Sequence, residues 1–157
     1  MKKLLIISAL SAALLCSCGG NGAADKSGNA CCDSVTECNM AKLPGKWCFV
    51  TIANDSVRLD ETLIDSIGAG QGIVFGQDST YSVVTNCNSI GGSYTATCDS
   101  IVFGDGFMTE MACDNMQVED AVRFILPRLN AYSIESDSIL RITSDDDNCF
   151  IVLKKAE

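Results

Sequence analysis

Thr80-Tyr81-Ser82-Val83-Val84-Thr85-Asn86-Cys87-Asn88-Ser89-Ile90-Gly91-Gly92-Ser93-Tyr94-Thr95-Ala96-Thr97-Cys98 reads as a β-hairpin. Residues 80–85 and 93–98 are rich in strand formers, and the run between them, 88–92, carries Asn and Gly, which suit the positive-φ positions of a hairpin loop. Two strands joined this way are antiparallel. Working towards the N-terminus, Gln71-Gly72-Ile73-Val74-Phe75 is a short apolar run closed by Gly76, and Trp47-Cys48-Phe49-Val50-Thr51-Ile52 is another run of strand formers. On the other side, residues 99–103 continue the meander. Five short strands before any helix predict an antiparallel sheet or barrel.

One helix follows. Val118, Val122, Ile125, Leu126 and Leu129 fall on a single helical stripe, with Asp114 or Asn115 as the cap and Glu119 and Asp120 favouring the positive end of the helix dipole. Pro127 lacks an N–H and ends or kinks the helix there, leaving 128–130 as an exit segment. Residues 132–135, 139–143 and 149–153 read as three more strands, the last pair joined by Asp145-Asp146-Asp147-Asn148. The expected fold is mainly β with one helix (α+β), a small antiparallel barrel of about eight strands with an α-helix packed across it.

The chain of 157 residues carries 20 acidic and 11 basic residues, no histidine and 10 cysteines. Without imidazole, Ser-His-Asp and Cys-His nucleophilic sites and His-ligated metal are excluded. A net charge of −9 argues against nucleic acid, which needs a basic face, and for a basic partner if there is one.

The first residues read as a targeting device. Lys2 and Lys3 precede an apolar run, 4–15, of signal-peptide length and too short for a comfortable membrane span. Leu15-Cys16-Ser17-Cys18 then reads as a lipobox, with Leu15 and Ser17 at the −3 and −1 positions of an acylated Cys18. Removal of 1–17 takes the net charge to −11, because Lys2 and Lys3 leave with it. Acyl chains, palmitate among them, anchor such a protein without a spanning helix, at about 0.8 kcal/mol per buried CH2. Gly19 rather than Asp follows Cys18, which by the enterobacterial sorting habit gives the outer membrane and leaves its face open. Residues 18–42 read as a flexible, Cys-containing tether, and 43–157 as the folded domain.

Three motifs suggest a family. Leu43-Pro44-Gly45-Lys46-Trp47, the Asn86-to-Tyr94 stretch quoted above, and Thr109-Glu110-Met111-Ala112-Cys113 before a helix together resemble the META domain of HslJ-like bacterial envelope proteins, in order and spacing. Asn86, where that family commonly has Gly, and Asp114, where it often has Pro, depart from the pattern. The resemblance implies a small β-barrel with a flanking helix, no known catalytic activity, no cofactor, and an association with heat shock and envelope stress. In size, anchor and build the chain is also similar to the potempins, small lipoprotein peptidase inhibitors.

Beyond Cys16 and Cys18, eight cysteines allow roughly a hundred full pairings. The expected bridge is Cys87 with Cys113, at loop edges in the two most family-like motifs, stabilising by roughly 3–4 kcal/mol in the chain-entropy model. Of Cys31, Cys32 and Cys38, adjacent Cys31 and Cys32 are poorly disposed to bridge each other, so one of the three must pair with the domain, stay free or bind something. A thiolate site for Cu(I) or zinc on these three is the lesser reading, and no metal site is expected.

Residues 104–114 form the candidate partner-binding loop, with Gly104 and Gly106 as pivots and Phe107, Met108, Thr109, Glu110, Met111 and Ala112 as its candidate contact residues. A loop stiffened between a disulfide and a helix cap suits a peptidase inhibitor, with Met111 entering an apolar pocket and Glu110 or Asp105 approaching a metallopeptidase's metal. For Phe107, Met108 and Met111 the preferred reading is a plug closing one end of the barrel. Asp145, Asp146 and Asp147 read as a solvated turn rather than a calcium loop, and Asp60, Glu61 and Asp65 as an exposed loop rather than an acid–base pair. The expected function is thus a non-catalytic envelope lipoprotein that binds a protein, in its most specific form a secreted or envelope peptidase. The alternative is a structural or protective stress lipoprotein.

Overall fold

Trp47, Phe49 and Ile52 are fully buried along strand β1 (Gly45–Ala53), and their spacing of two and then three residues records a β-bulge. The register against β9 (Phe150–Lys155) shifts between Phe49 and Thr51, and the extra residue, Val50, lets both halves of a long strand face the core. The computed structural model describes residues 38–157, so the expectations for the leader, Cys18, Cys31 and Cys32 lie outside the described residues.

The remaining elements are β2 (Arg58–Asp60), α1 (Glu61–Ile67), β3 (Gly72–Phe75), β4 (Thr80–Val84), β5 (Ser89–Ala96), β6 (Ile101–Met108), α2 (Gln117–Ile125), β7 (Ala131–Glu135) and β8 (Ile139–Thr143). Every strand pairing is antiparallel, in the order β6-β5-β4-β3-β1-β9-β8-β7, with β2 added beside β1. The sheet curls until its two edge strands meet at their beginnings, through a single bridge between Ser100 and Ala131. The α+β class and the eight-strand curl are as expected. β2 is the addition.

α2 presents Val118, Ala121, Val122 and Ile125 to the core, and Leu126 in the 3-10 turn Leu126–Arg128 and Leu129 beyond it extend the same stripe. Pro127 sits in that turn, where its missing N–H is harmless. Inside the curl, Phe75 meets Tyr94 edge-on at 5.1 Å, and Tyr81 meets Phe103 at 5.0 Å. Trp47 donates its indole N–H to the Leu43 carbonyl at 2.8 Å, fixing the residues that lead into β1.

Three local expectations are corrected. Ser89, Ile90, Gly91 and Gly92 belong to β5 rather than to a loop, and neither glycine has a positive φ. The turn is 85–88, closed by Thr85 N–H donating to the Asn88 carbonyl. The Phe107 ring lies across Gly91, where a Cβ would come within 2.8 Å of it. Second, Asp60, Glu61 and Asp65 are not in a loop. Asp60 caps α1 by accepting from Leu63 N–H at 2.9 Å, Glu61 pairs with Lys154, and Ile64 anchors the helix in the core. A seven-residue helix with one buried side chain leaves no periodic stripe to read. Third, α2 begins at Gln117 without a side-chain cap at Met116. Asn115 instead accepts from the Gln117 N–H at 3.1 Å.

Up-and-down connection fixes two ends. Cys38, the 3-10 turn Asn39–Lys42 that ends the segment read as a tether, and the turns at 76–79, 97–100 and 136–138 lie at the end where β1 begins. There Cys38 is bonded to Cys98, and Lys42 pairs with Asp137 at 2.8 Å, which holds the Asp137 carboxyl below the usual range. The turns at 54–57 and 85–88, the connection 109–116 and the turn at 144–149 lie at the other end, separated from the first by strands of four to nine residues, about 13–30 Å.

Candidate functional site

At that far end the 85–88 turn turns the Asn88 side chain inward, where it is 2 % exposed. Its Oδ1 accepts from the Met111 N–H at 2.7 Å and from the Thr109 hydroxyl at 2.8 Å. Its Nδ2 donates to the Met111 carbonyl at 3.0 Å and to both carboxylate oxygens of Glu119 at 3.0 Å. One amide therefore takes the place of a neighbouring strand for Met111, satisfying both of its main-chain groups. Thr109 extends the pattern, since its N–H donates to the Ser89 carbonyl and its hydroxyl accepts from the Ser89 N–H, each at 3.1 Å.

The other end of the segment is tied covalently. Cys87 and Cys113 are disulfide-bonded, with Cα atoms 6.1 Å apart. Asn86, the departure from the family's Gly, donates its amide to the Asn115 carbonyl at 2.8 Å and its main-chain N–H to the Gln71 side chain at 3.0 Å. It thereby fastens the turn to the approach of α2. Asp114, the departure from Pro, is exposed.

The side chains held on this frame point outward. Phe107 is 70 % exposed and Met111 57 % exposed, so the plug expected of Phe107, Met108 and Met111 is absent: the core is closed by α2 instead. Met108 is half-buried opposite Ile90, and Glu110 and Ala112 are exposed. A cleft of about 300 Å³ between Met108, Glu110, Met111, Met116 and Arg123 opens beside Asn88 and Glu119. Residues 104–108 of the expected loop are strand β6. Gly104 and Gly106 act there as points of close strand contact rather than pivots: a Cβ on Gly104 would lie 2.6 Å from the Ser93 hydroxyl.

Sequence reading missed Asn88 and Glu119 as a pair. Glu119, in the first turn of α2, is wholly buried and accepts from the amide. Among the described residues no group of three or more Cys, Asp or Glu is placed to hold a metal ion. Asp146 is occupied within its own turn, where hydrogen bonds from Ser144 and Asn148 hold its carboxyl below the usual range. Cys48 and Cys149 are free thiols, and burial pushes the Cys149 thiol up.

The sequence profile of the META domain matches residues 42–157. This chain belongs to the META domain family. Among solved structures the chain is similar to a protein from Burkholderia xenovorans determined by NMR, at 18 % identity and a TM-score of 0.59, over 83 % of this chain and 95 % of that one. It is also similar to a DUF4847 family protein from Bacteroides vulgatus, at 14 % identity and a TM-score of 0.54, over 76 % and 99 % respectively. These likenesses concern the fold alone. No curated protein matches the chain.

Proposed function

We propose that this META domain is a non-catalytic binding module, carried on an acylated Cys18 at the outer membrane, that grips a protein partner through residues 107–112. In its sharpest form the partner is a secreted or envelope peptidase. The observation that carries this reading is the Asn88 amide holding both main-chain groups of Met111 while the Met111 side chain stays exposed. A segment fixed before docking loses little conformational entropy on binding, so exposed hydrophobic side chains convert more of their burial into affinity. Fixing the main chain from behind with a buried amide and a disulfide also keeps the segment from adapting to, or leaving with, whatever it binds.

The test is a competition assay of the full chain against serine, cysteine and metallopeptidases. Met111→Asp is expected to weaken inhibition about thirtyfold or more, the loss of a central contact, while changing stability by less than about 0.5 kcal/mol because the side chain is exposed. Unchanged inhibition would remove this segment from the account. For the anchor, the expected result is a mass spectrum of protein from its native host in which an N-terminal Cys18 carries acyl chains. An unmodified Cys18 would end that part of the proposal.

A further inference from the structure

The same hydrogen bonds say which residue of the segment faces the active centre, if the peptidase reading above holds. A substrate-like segment must turn one carbonyl towards the peptidase's oxyanion donors, and the main chain two residues earlier pairs with the peptidase's own strand. In an extended chain, successive residues direct their N–H and C=O groups to opposite sides. Thr109 N–H points inward to Ser89, and both main-chain groups of Met111 point inward to Asn88. The Met111 carbonyl is thus committed to the scaffold, and the bond after Met111 is not the one presented. Glu110 and Ala112 lie on the opposite parity, exposed, with no main-chain hydrogen bond to another described residue.

We infer that the bond offered to the peptidase is Ala112–Cys113, and that the target is a serine peptidase with a small, apolar specificity pocket of the elastase type. Ala112 fits a pocket that takes little more than a methyl group. Glu110, two residues earlier, supplies the outward main chain for strand-like pairing, and Met111 between them is held by Asn88. Cys113, on the far side of the bond, is held by Cys87.

The chemistry follows from that placement. The peptidase's serine oxygen adds to the Ala112 carbonyl carbon, its proton passes through the peptidase's histidine to the Cys113 nitrogen, and the C–N bond breaks. Water then releases the acyl group, leaving an Ala112 carboxylate and a Cys113 ammonium and restoring the serine. The disulfide keeps the new amine beside the acyl carbon, so the reverse reaction, expelling that water, remakes the bond. A cut chain stays whole and stays in place.

The experiment uses the oxidised full chain against elastase-type, chymotrypsin-type, trypsin-type and glutamate-specific serine peptidases and a zinc metallopeptidase. The expected result is inhibition of the elastase-type enzyme, with slow conversion to a form that remains one species until reduced and then yields fragments ending at Ala112 and beginning at Cys113. Ala112→Arg is expected to weaken that inhibition about thirtyfold or more and to transfer it to the trypsin-type enzyme. Ala112→Leu moves it to the chymotrypsin-type enzyme by the same logic and serves if the arginine variant folds poorly. Cleavage at Glu110–Met111, inhibition of the metallopeptidase alone, or unaltered selectivity in both Ala112 variants would overturn the inference while leaving the binding module standing. Inhibition of none of the five enzymes would overturn the inference, and a cysteine peptidase left uninhibited as well would overturn the peptidase reading with it.

Discussion

Asn88→Ala is expected to destabilise the domain by roughly 3–5 kcal/mol, more than any change on the exposed side of the segment. The amide serves four groups at once: the Met111 N–H, the Met111 carbonyl, the Thr109 hydroxyl and the Glu119 carboxylate. Thr109 can turn to water, and so in part can the Met111 groups beside the cleft, but the carboxylate is wholly buried. A buried group left without a partner costs about 1–3 kcal/mol, and a charged one more. Truncation to alanine also opens a small void beside α2. Asn88→Asp keeps the shape but sets a second carboxylate against Glu119 and removes the donor to Met111, so it is expected to be no milder. The measurement is the denaturant midpoint followed by the fluorescence of Trp47, the single tryptophan, which is fully buried and moves into water on unfolding. A loss below about 1 kcal/mol for Asn88→Ala would show that water replaces the amide and that the disulfide and the Thr109–Ser89 hydrogen bonds suffice to hold the segment.

The second large effect is expected from the disulfides. In the chain-entropy model the Cys38–Cys98 bridge, 60 residues apart in sequence, stabilises by about 4 kcal/mol, and Cys87–Cys113, 26 apart, by about 3.5 kcal/mol. A domain of this size has a total stability of about 5–15 kcal/mol, so reducing both bridges removes half or more of a typical margin. The paired replacements separate two roles. Cys38→Ala with Cys98→Ala is expected to lower the midpoint and leave partner binding intact, since these residues lie at the other end of the sheet. Cys87→Ala with Cys113→Ala is expected to lower the midpoint slightly less and to abolish tight binding. Equal binding losses in the two double variants would mean that the segment responds to global stability rather than to its own clamp.

The sheet was legible because its strands alternate or run apolar between Gly-, Asn- and Asp-bearing breaks, and α2 because Val118, Val122 and Ile125 repeat with a helical period. What escaped was whatever depends on a neighbour distant in sequence. Gly91 and Gly92 read as turn formers, since nothing local announces that Phe107 will lie across the one and the main chain of 105–106 against the other. Asn88 had a sufficient local explanation in its turn, and Glu119 in the helix dipole, so neither drew a second one. One signal was present: Glu119 and Val122 of α2 and Leu126 just beyond it fall on one buried stripe, and a carboxylate there requires a buried donor. Hydrophobicity alone favours an interior place for Phe107 and Met111, but α2 closes the core and leaves both exposed.

The bond between Cys38 and Cys98 also decides how the protein meets a mechanical pull. Tension arriving from upstream divides at Cys38, part running on to β1 and part passing through the sulfurs to the β5–β6 turn. Peeling β1 away from β3 and β9, the route by which an N-terminal strand would unzip, is therefore blocked until that bond is reduced. Such a pull loads two separated strands of the sheet together, and residues 107–112 at the opposite end are spared the strain.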